Sequence, residues 1–127
     1  MTFFDIHSNK MEQYGFTMAL NDNKKLTFCG DEPLHPLCEK YAKSCDWLLH
    51  EAFCLYEERE KFKPYEKHHS TVKDSCKRAN QLLVNHLILW HTEDSHGNHR
   101  KDLYLKEGTP YFTGKLEVPE DGEIIQL

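Results

Sequence analysis

Six residues in this chain have the types and positions to do chemistry: His7, Asp31, His50, Glu51, His69 and His91. Imidazole and carboxylate groups bind metal ions and move protons near neutral pH, so what matters is whether the fold gathers them. Glu51 follows the apolar run Trp47-Leu48-Leu49, and His91 follows Leu87-Ile88-Leu89-Trp90. Short continuous apolar runs beside helical patterns are expected of parallel strands covered on both faces. Ligands and reactive groups in open α/β sheets collect at the carboxyl ends of the strands, so His50, Glu51 and His91 are expected along one edge. Histidine at a strand end is equally compatible with a structural, hydrogen-bonded role. Asp31, after Gly30 and before Glu32-Pro33, also has the chemistry of a simple turn former.

The elements that must carry these residues follow from the pattern. Strands are expected at Thr2 to Ile6, Tyr14 to Leu20, Lys25 to Cys29, Asp46 to Leu49, Leu87 to Trp90, Lys115 to Val118 and Glu123 to Leu127. Asn21-Asp22-Asn23 supplies the turn of a hairpin between the second and third. Leu34, Leu37, Cys38, Tyr41 and Ala42 recur at helical spacing, and a short helix is expected around Leu55 to Lys61 inside a charged loop. Thr71 and Asp74 have the spacing of a capping box that opens a helix running to about Leu82, with Val72, Cys76, Ala79 and Leu83 as its buried stripe. Arg100 to Glu107 reads as a helix closed by Gly108. His96 and His99 read as surface residues, because Gly97 between them disfavours a helix.

Composition limits the function classes. The chain of 127 residues is one domain or part of one, with 39% hydrophobic and 29% charged residues, and should fold. A net charge of -5 argues against a protein built mainly to grip phosphate backbones. Five cysteines without a CxxC pair are expected to be reduced and buried, which fits a cytoplasmic setting. No apolar run is long enough to span a bilayer.

The order Gly30-Asp31, His50-Glu51-Ala52, His69-Ser70-Thr71, Leu87-Ile88-Leu89-Trp90-His91 resembles the carboxyl-terminal half of metallo-β-lactamase-fold hydrolases, most closely the ribonuclease Z-like branch. The resemblance spans nearly the whole of residues 1–127. It implies an α/β fold, half of an αββα metallo-β-lactamase-type sandwich, with a mixed sheet and helices on one face. It further implies two metal ions, usually zinc, with Asp31 bridging them, His91 binding the second and His7 as a further ligand. Glu51 and His69 match the pair associated with proton delivery to the leaving oxygen, while His50 and His68 are weaker matches. The His-x-His-x-Asp-His loop that supplies most ligands in that family is absent. The Ser-Arg-Tyr that often follows the last histidine in tRNA-processing members is absent too.

Two functions from different classes follow from these residues. One is a fragment of a metal-dependent hydrolase of phosphodiester or ester-like bonds, inactive until a missing amino-terminal half completes the site. The other is a non-catalytic module that self-associates into a homo-oligomer through its uncovered sheet face. Nucleic-acid binding without catalysis and membrane attachment are disfavoured by charge and hydropathy.

Overall fold

Short apolar runs, broken by Gly, Pro and Asn, form six strands in the computed structural model, which describes residues 1–127. They are β1 (Thr2–Asp5), β2 (Tyr14–Ala19), β3 (Lys25–Phe28), β4 (Trp47–Glu51), β5 (His86–Trp90) and β6 (Lys115–Glu117). The four α-helices are α1 (Glu39–Ala42), α2 (Arg59–Phe62), α3 (Val72–Gln81) and α4 (Arg100–Gly108). Strand order in the sheet is the order in sequence, β1 to β6. The pairs β1–β2 and β2–β3 are antiparallel, and every later pair is parallel. All strands except β2 therefore point the same way, and the segments that follow them share one edge.

Alternation of side chains along a strand sends neighbours to opposite faces. Leu48 of β4 and Leu87 and Leu89 of β5 pack with Val72, Cys76 and Ala79 of α3 and Tyr104 of α4 in a core of 20 buried residues. On the other face Leu26, Trp47 and Ile88 form a second, small cluster backed by Phe16, Met18, Leu49 and Ile125. No helix covers this second face. The expectation of strands covered on both faces is thus met by helices on one side only. On the other, the carboxyl-terminal segment lies along an open groove of about 910 Å³, lined by Leu26, Leu49, Ile88, Trp90 and His91 among others.

Several local expectations are corrected. Thr71 caps α3 with the full capping box, accepting from Asp74 N while Asp74 accepts from Thr71 N. That helix ends at Gln81, close to the expected Leu82, and Leu83 falls outside it with a left-handed φ of 59°. Leu82 is buried in its place and Leu83 is exposed. The helix drawn from Leu34 to Ala42 shrinks to a 3-10 turn, Pro36–Cys38, and the four residues of α1, since prolines at 33 and 36 hold the start extended. Residues 123–127 form no strand; the segment is tied instead by Arg100 to Pro119 O and by Lys101 to Glu123. Gly108 is the last residue of α4, in right-handed helical geometry, and Thr109 is the cap. A Cβ there would stand 2.7 Å from both Cys76 Sγ and Leu116 Cδ2, so glycine is what lets α4 approach α3 and β6. All five cysteines are free and buried, as expected.

Candidate functional site

The shared edge is knitted by main-chain bonds between the loops that leave the strands. Ala52 N donates to Trp90 O (3.0 Å), Phe53 N to Ser70 O (2.9 Å) and Val72 N to Cys54 O (3.0 Å). These bonds bring the loop ending in His69-Ser70-Thr71 against the ends of β4 and β5. The rings of His69 and His91 then lie 5.1 Å apart, and His69 stacks on Phe53 at 5.0 Å.

Strand alternation separates the roles of His50 and Glu51. His50 faces the helices and is fully tied: Leu34 N donates to its Nε2 (3.1 Å), and its Nδ1 lies 2.8 Å from Glu51 O and 3.0 Å from Ser75 Oγ. A nitrogen that accepts cannot carry the proton, so the proton sits on Nδ1 and is donated to Glu51 O. His50 is thus a clamp joining β4 to α3 and to the turn that carries Asp31. Burial lowers its pKa from the ordinary 6.5, outweighing the opposing pull of Glu51. A histidine kept neutral when folded is protonated more readily when unfolded, so stability is lost as pH falls below about 6.5. The expected slope is up to about 1.4 kcal/mol per pH unit for the one proton. Urea unfolding between pH 7 and 5.5 should show it, and His50→Gln should flatten that part of the curve; an unchanged slope would exclude His50 as its source.

Glu51 points to the opposite face and is fully buried. Its Oε1 accepts from Ser70 N at 2.6 Å, and its Oε2 faces His69 Nδ1 at 3.5 Å. That separation exceeds a good hydrogen bond, so both atoms are without a close partner, as catalytic pairs often are before substrate tightens them. With Nδ1 turned toward the carboxylate, Nε2 is the nitrogen left to meet another molecule.

Asp31 follows Gly30, whose φ of 79° makes the turn possible. The Oδ1 of Asp31 is buried and has no hydrogen-bond partner, as befits a carboxylate oxygen meant for a cation or a donor from elsewhere. His91 follows β5 exposed, and His7 follows β1 exposed, its ring 4.7 Å from that of His35. His7, His68 and His91 all hold positive φ, at 60°, 59° and 57°. That conformation costs a non-glycine residue roughly 1 kcal/mol, and such residues cluster at functional sites.

Asp31, His91 and His7 all lie on the same edge, but they do not bring their ligating atoms within 4.8 Å of one another. One carboxylate and two imidazoles are also too few for two metal ions. The orphaned Asp31 oxygen fits a cation; the donor set of this chain alone does not complete its coordination. Sequence reasoning missed Glu32, which is buried with neither carboxylate oxygen hydrogen-bonded, its Oε1 3.2 Å from His68 Nε2. Nothing in the local pattern marks it, because its burial comes from a loop 36 residues on, at His68 (68 minus 32).

No protein-family model matches the chain. In sequence it is 28% identical over 109 residues to ribonuclease Z of Myxococcus xanthus, a match covering 86% of the chain and 34% of that protein. In structure it superposes on a metallo-β-lactamase fold protein of Bacillus subtilis with a TM-score of 0.71 at 17% identity, over 96% of this chain and 47% of that one. The short form of human tRNase Z gives 0.70 at 19% identity, over 98% and 41%. A long-form RNase Z from yeast gives 0.56 at 21% identity, over 71% and 13%. The chain spans about a third of the curated relative it matches and under half of the Bacillus and human structures. Residues 1–127 therefore carry part of a metallo-β-lactamase fold, and their sequence likeness runs to ribonuclease Z.

Proposed function

We propose that this chain is the carboxyl-terminal half of a ribonuclease Z-like, metal-dependent hydrolase domain that cleaves a phosphodiester or ester-like bond once an amino-terminal half completes the site. The observation that carries this reading is the buried Glu51–His69 pair beside His91, on the edge that also holds an unpartnered Asp31 oxygen. In the completed site Asp31 and His91, with His7, would supply part of the metal coordination, zinc suiting the imidazoles. Bound metal would polarise the scissile group and lower the pKa of the attacking water. The work of this chain is at the leaving oxygen. Closing to hydrogen-bond distance, Glu51 would orient His69 through Nδ1, so that Nε2 faces the leaving oxygen and delivers a proton as the bond breaks. Phe53, stacked on the His69 ring, keeps bulk water off one side of it.

Mixing the chain with the amino-terminal half of the Myxococcus relative should yield zinc-dependent hydrolysis of bis(4-nitrophenyl) phosphate that neither half shows alone. No hydrolysis at any ratio of the halves would overturn the reading.

A second reading is favoured by the sheet face that no helix covers, where partly exposed Phe16, Met18, Leu49 and Ile125 surround the buried Leu26, Trp47 and Ile88. Contiguous apolar surface of this kind attracts a partner, and without an amino-terminal half the available one is a second copy. Sedimentation at micromolar concentration should then show a homodimer, which Leu49→Lys converts to monomer. A wild-type monomer would remove this reading.

A further inference from the structure

Ligating side chains converge a second time, among residues given no role above. Glu58 closes the 3-10 turn Tyr56–Glu58 in the loop after β4, and Glu93 and His96 lie in the loop after β5. The two loops are joined by Glu93 N donating to Phe53 O at 2.7 Å. His96 Nε2 stands 2.5 Å from Glu58 Oε1 and 3.9 Å from Glu93 Oε1, and the three ligand atoms lie within 4.8 Å of one another.

A histidine between two carboxylates is by itself an ordinary ion pair. What sets this cluster apart is Glu93, whose side chain is only 7% exposed. Its Oε2 accepts from Ser95 N at 2.7 Å, but its Oε1, which faces the imidazole, is buried with no hydrogen-bond partner. A buried carboxylate oxygen is costly to leave unpaired. Arg100, at the start of α4, donates instead to Thr92 Oγ1 and Pro119 O. The surroundings are electronegative as well. The Cys54 thiol is pushed up to about 12, chiefly by burial and then by Glu93, Glu107, Glu58 and Glu51.

We propose that Glu58, Glu93 and His96 form a divalent-cation site, built from donors other than Asp31 and His91, that takes zinc through two carboxylate oxygens and one imidazole nitrogen. One nitrogen and two oxygens with a fourth position open suit zinc, whereas magnesium and calcium prefer oxygen alone. Tetrahedral bonds of 2.0–2.1 Å set donor atoms about 3.3 Å apart. His96 and Glu58 separate by under an ångström to reach that spacing, and Glu93 Oε1 closes in from 3.9 Å. Ser95 N already orients the Glu93 carboxylate, as outer partners of metal ligands do. The ion locks the loops after β4 and β5 to each other.

The purified chain is titrated with zinc by calorimetry and with cobalt by visible absorption, each with thermal unfolding. The expected result is one tight site per chain, tetrahedral cobalt bands and a melting temperature raised by zinc. Glu93→Gln and His96→Gln should each weaken binding by more than about 100-fold, beyond the usual loss from an outer partner, and abolish the thermal shift. Asp31→Asn and His91→Ala should leave both intact. No uptake by the wild-type chain, or uptake that survives Glu93→Gln and His96→Gln, overturns the proposal. Loss on Asp31→Asn would do the same by assigning the ion to the other donors. No step reads hydrolysis, so the hydrolase reading can fail without this one.

Discussion

Replacing His69 by Gln is expected to slow phosphodiester hydrolysis by the reconstituted domain about 10²- to 10⁴-fold, the usual worth of a positioned general acid. Gln keeps a planar, polar group against Phe53 but cannot hold a proton for the leaving oxygen. Metal content of the reconstituted domain should be unchanged, which separates His69 from Asp31; Asp31→Asn should lose activity and metal together. Glu51→Gln still accepts from Ser70 N, so its loss should be smaller and should fall on the turnover step with substrate affinity kept. The measurement is the rate on a diester with an alkoxide leaving group, such as a dinucleotide, and on bis(4-nitrophenyl) phosphate, whose 4-nitrophenolate leaves without a proton near neutral pH. A leaving group that needs no proton should largely rescue His69→Gln. Equal losses on both substrates would remove His69 from proton transfer.

The second large effect is on stability. Tyr104 is the largest fully buried side chain, packed from α4 into the main core, with its hydroxyl donating to Phe53 O at 3.2 Å. Tyr104→Ala opens an aromatic-sized cavity and should cost about 3–5 kcal/mol. A domain of this size has roughly 5–15 kcal/mol in all, so the variant should be largely unfolded well below the wild-type midpoint. Tyr104→Phe removes only the hydroxyl and should cost about 0.5–1.5 kcal/mol. Chemical denaturation of the three proteins checks both numbers. If Phe costs as much as Ala, the hydrogen bond, not the packing, is what matters. Phe53 O also receives Glu93 N, so both substitutions act on the carbonyl that ties the two loops.

What the sequence makes legible is local. Runs such as Trp47-Leu48-Leu49 and Leu87-Ile88-Leu89-Trp90 mark the parallel strands, and Thr71 with Asp74 marks the start of α3, because strand alternation and capping act over a few residues. Where a chain stops obeying its pattern is less legible. Leu83 fits the stripe of α3 by spacing, yet the backbone turns left-handed there and buries Leu82 instead. The same limit applies to the site. Asp31, Glu51, His69 and His91 stand out as strand-end residues, and the structure sets His69 beside both Glu51 and His91. Alternation along β4 could have assigned His50 to the helix face in advance. Glu32 and the pairing of Glu58 with His96, 38 residues apart, could not have been read, since each depends on loops meeting across neighbouring strands.

The sheet whose strands lie side by side in the order they are encoded has a kinetic meaning. Each ribbon finds its neighbour already formed, so no pairing waits for a distant segment and the loop-closure entropy at each step stays modest. Synthesis from the amino terminus can therefore lay down β1 to β3 as a meander and add β4, β5 and β6 in turn as they emerge. Each ladder joins strands that are neighbours in sequence as well as in the sheet.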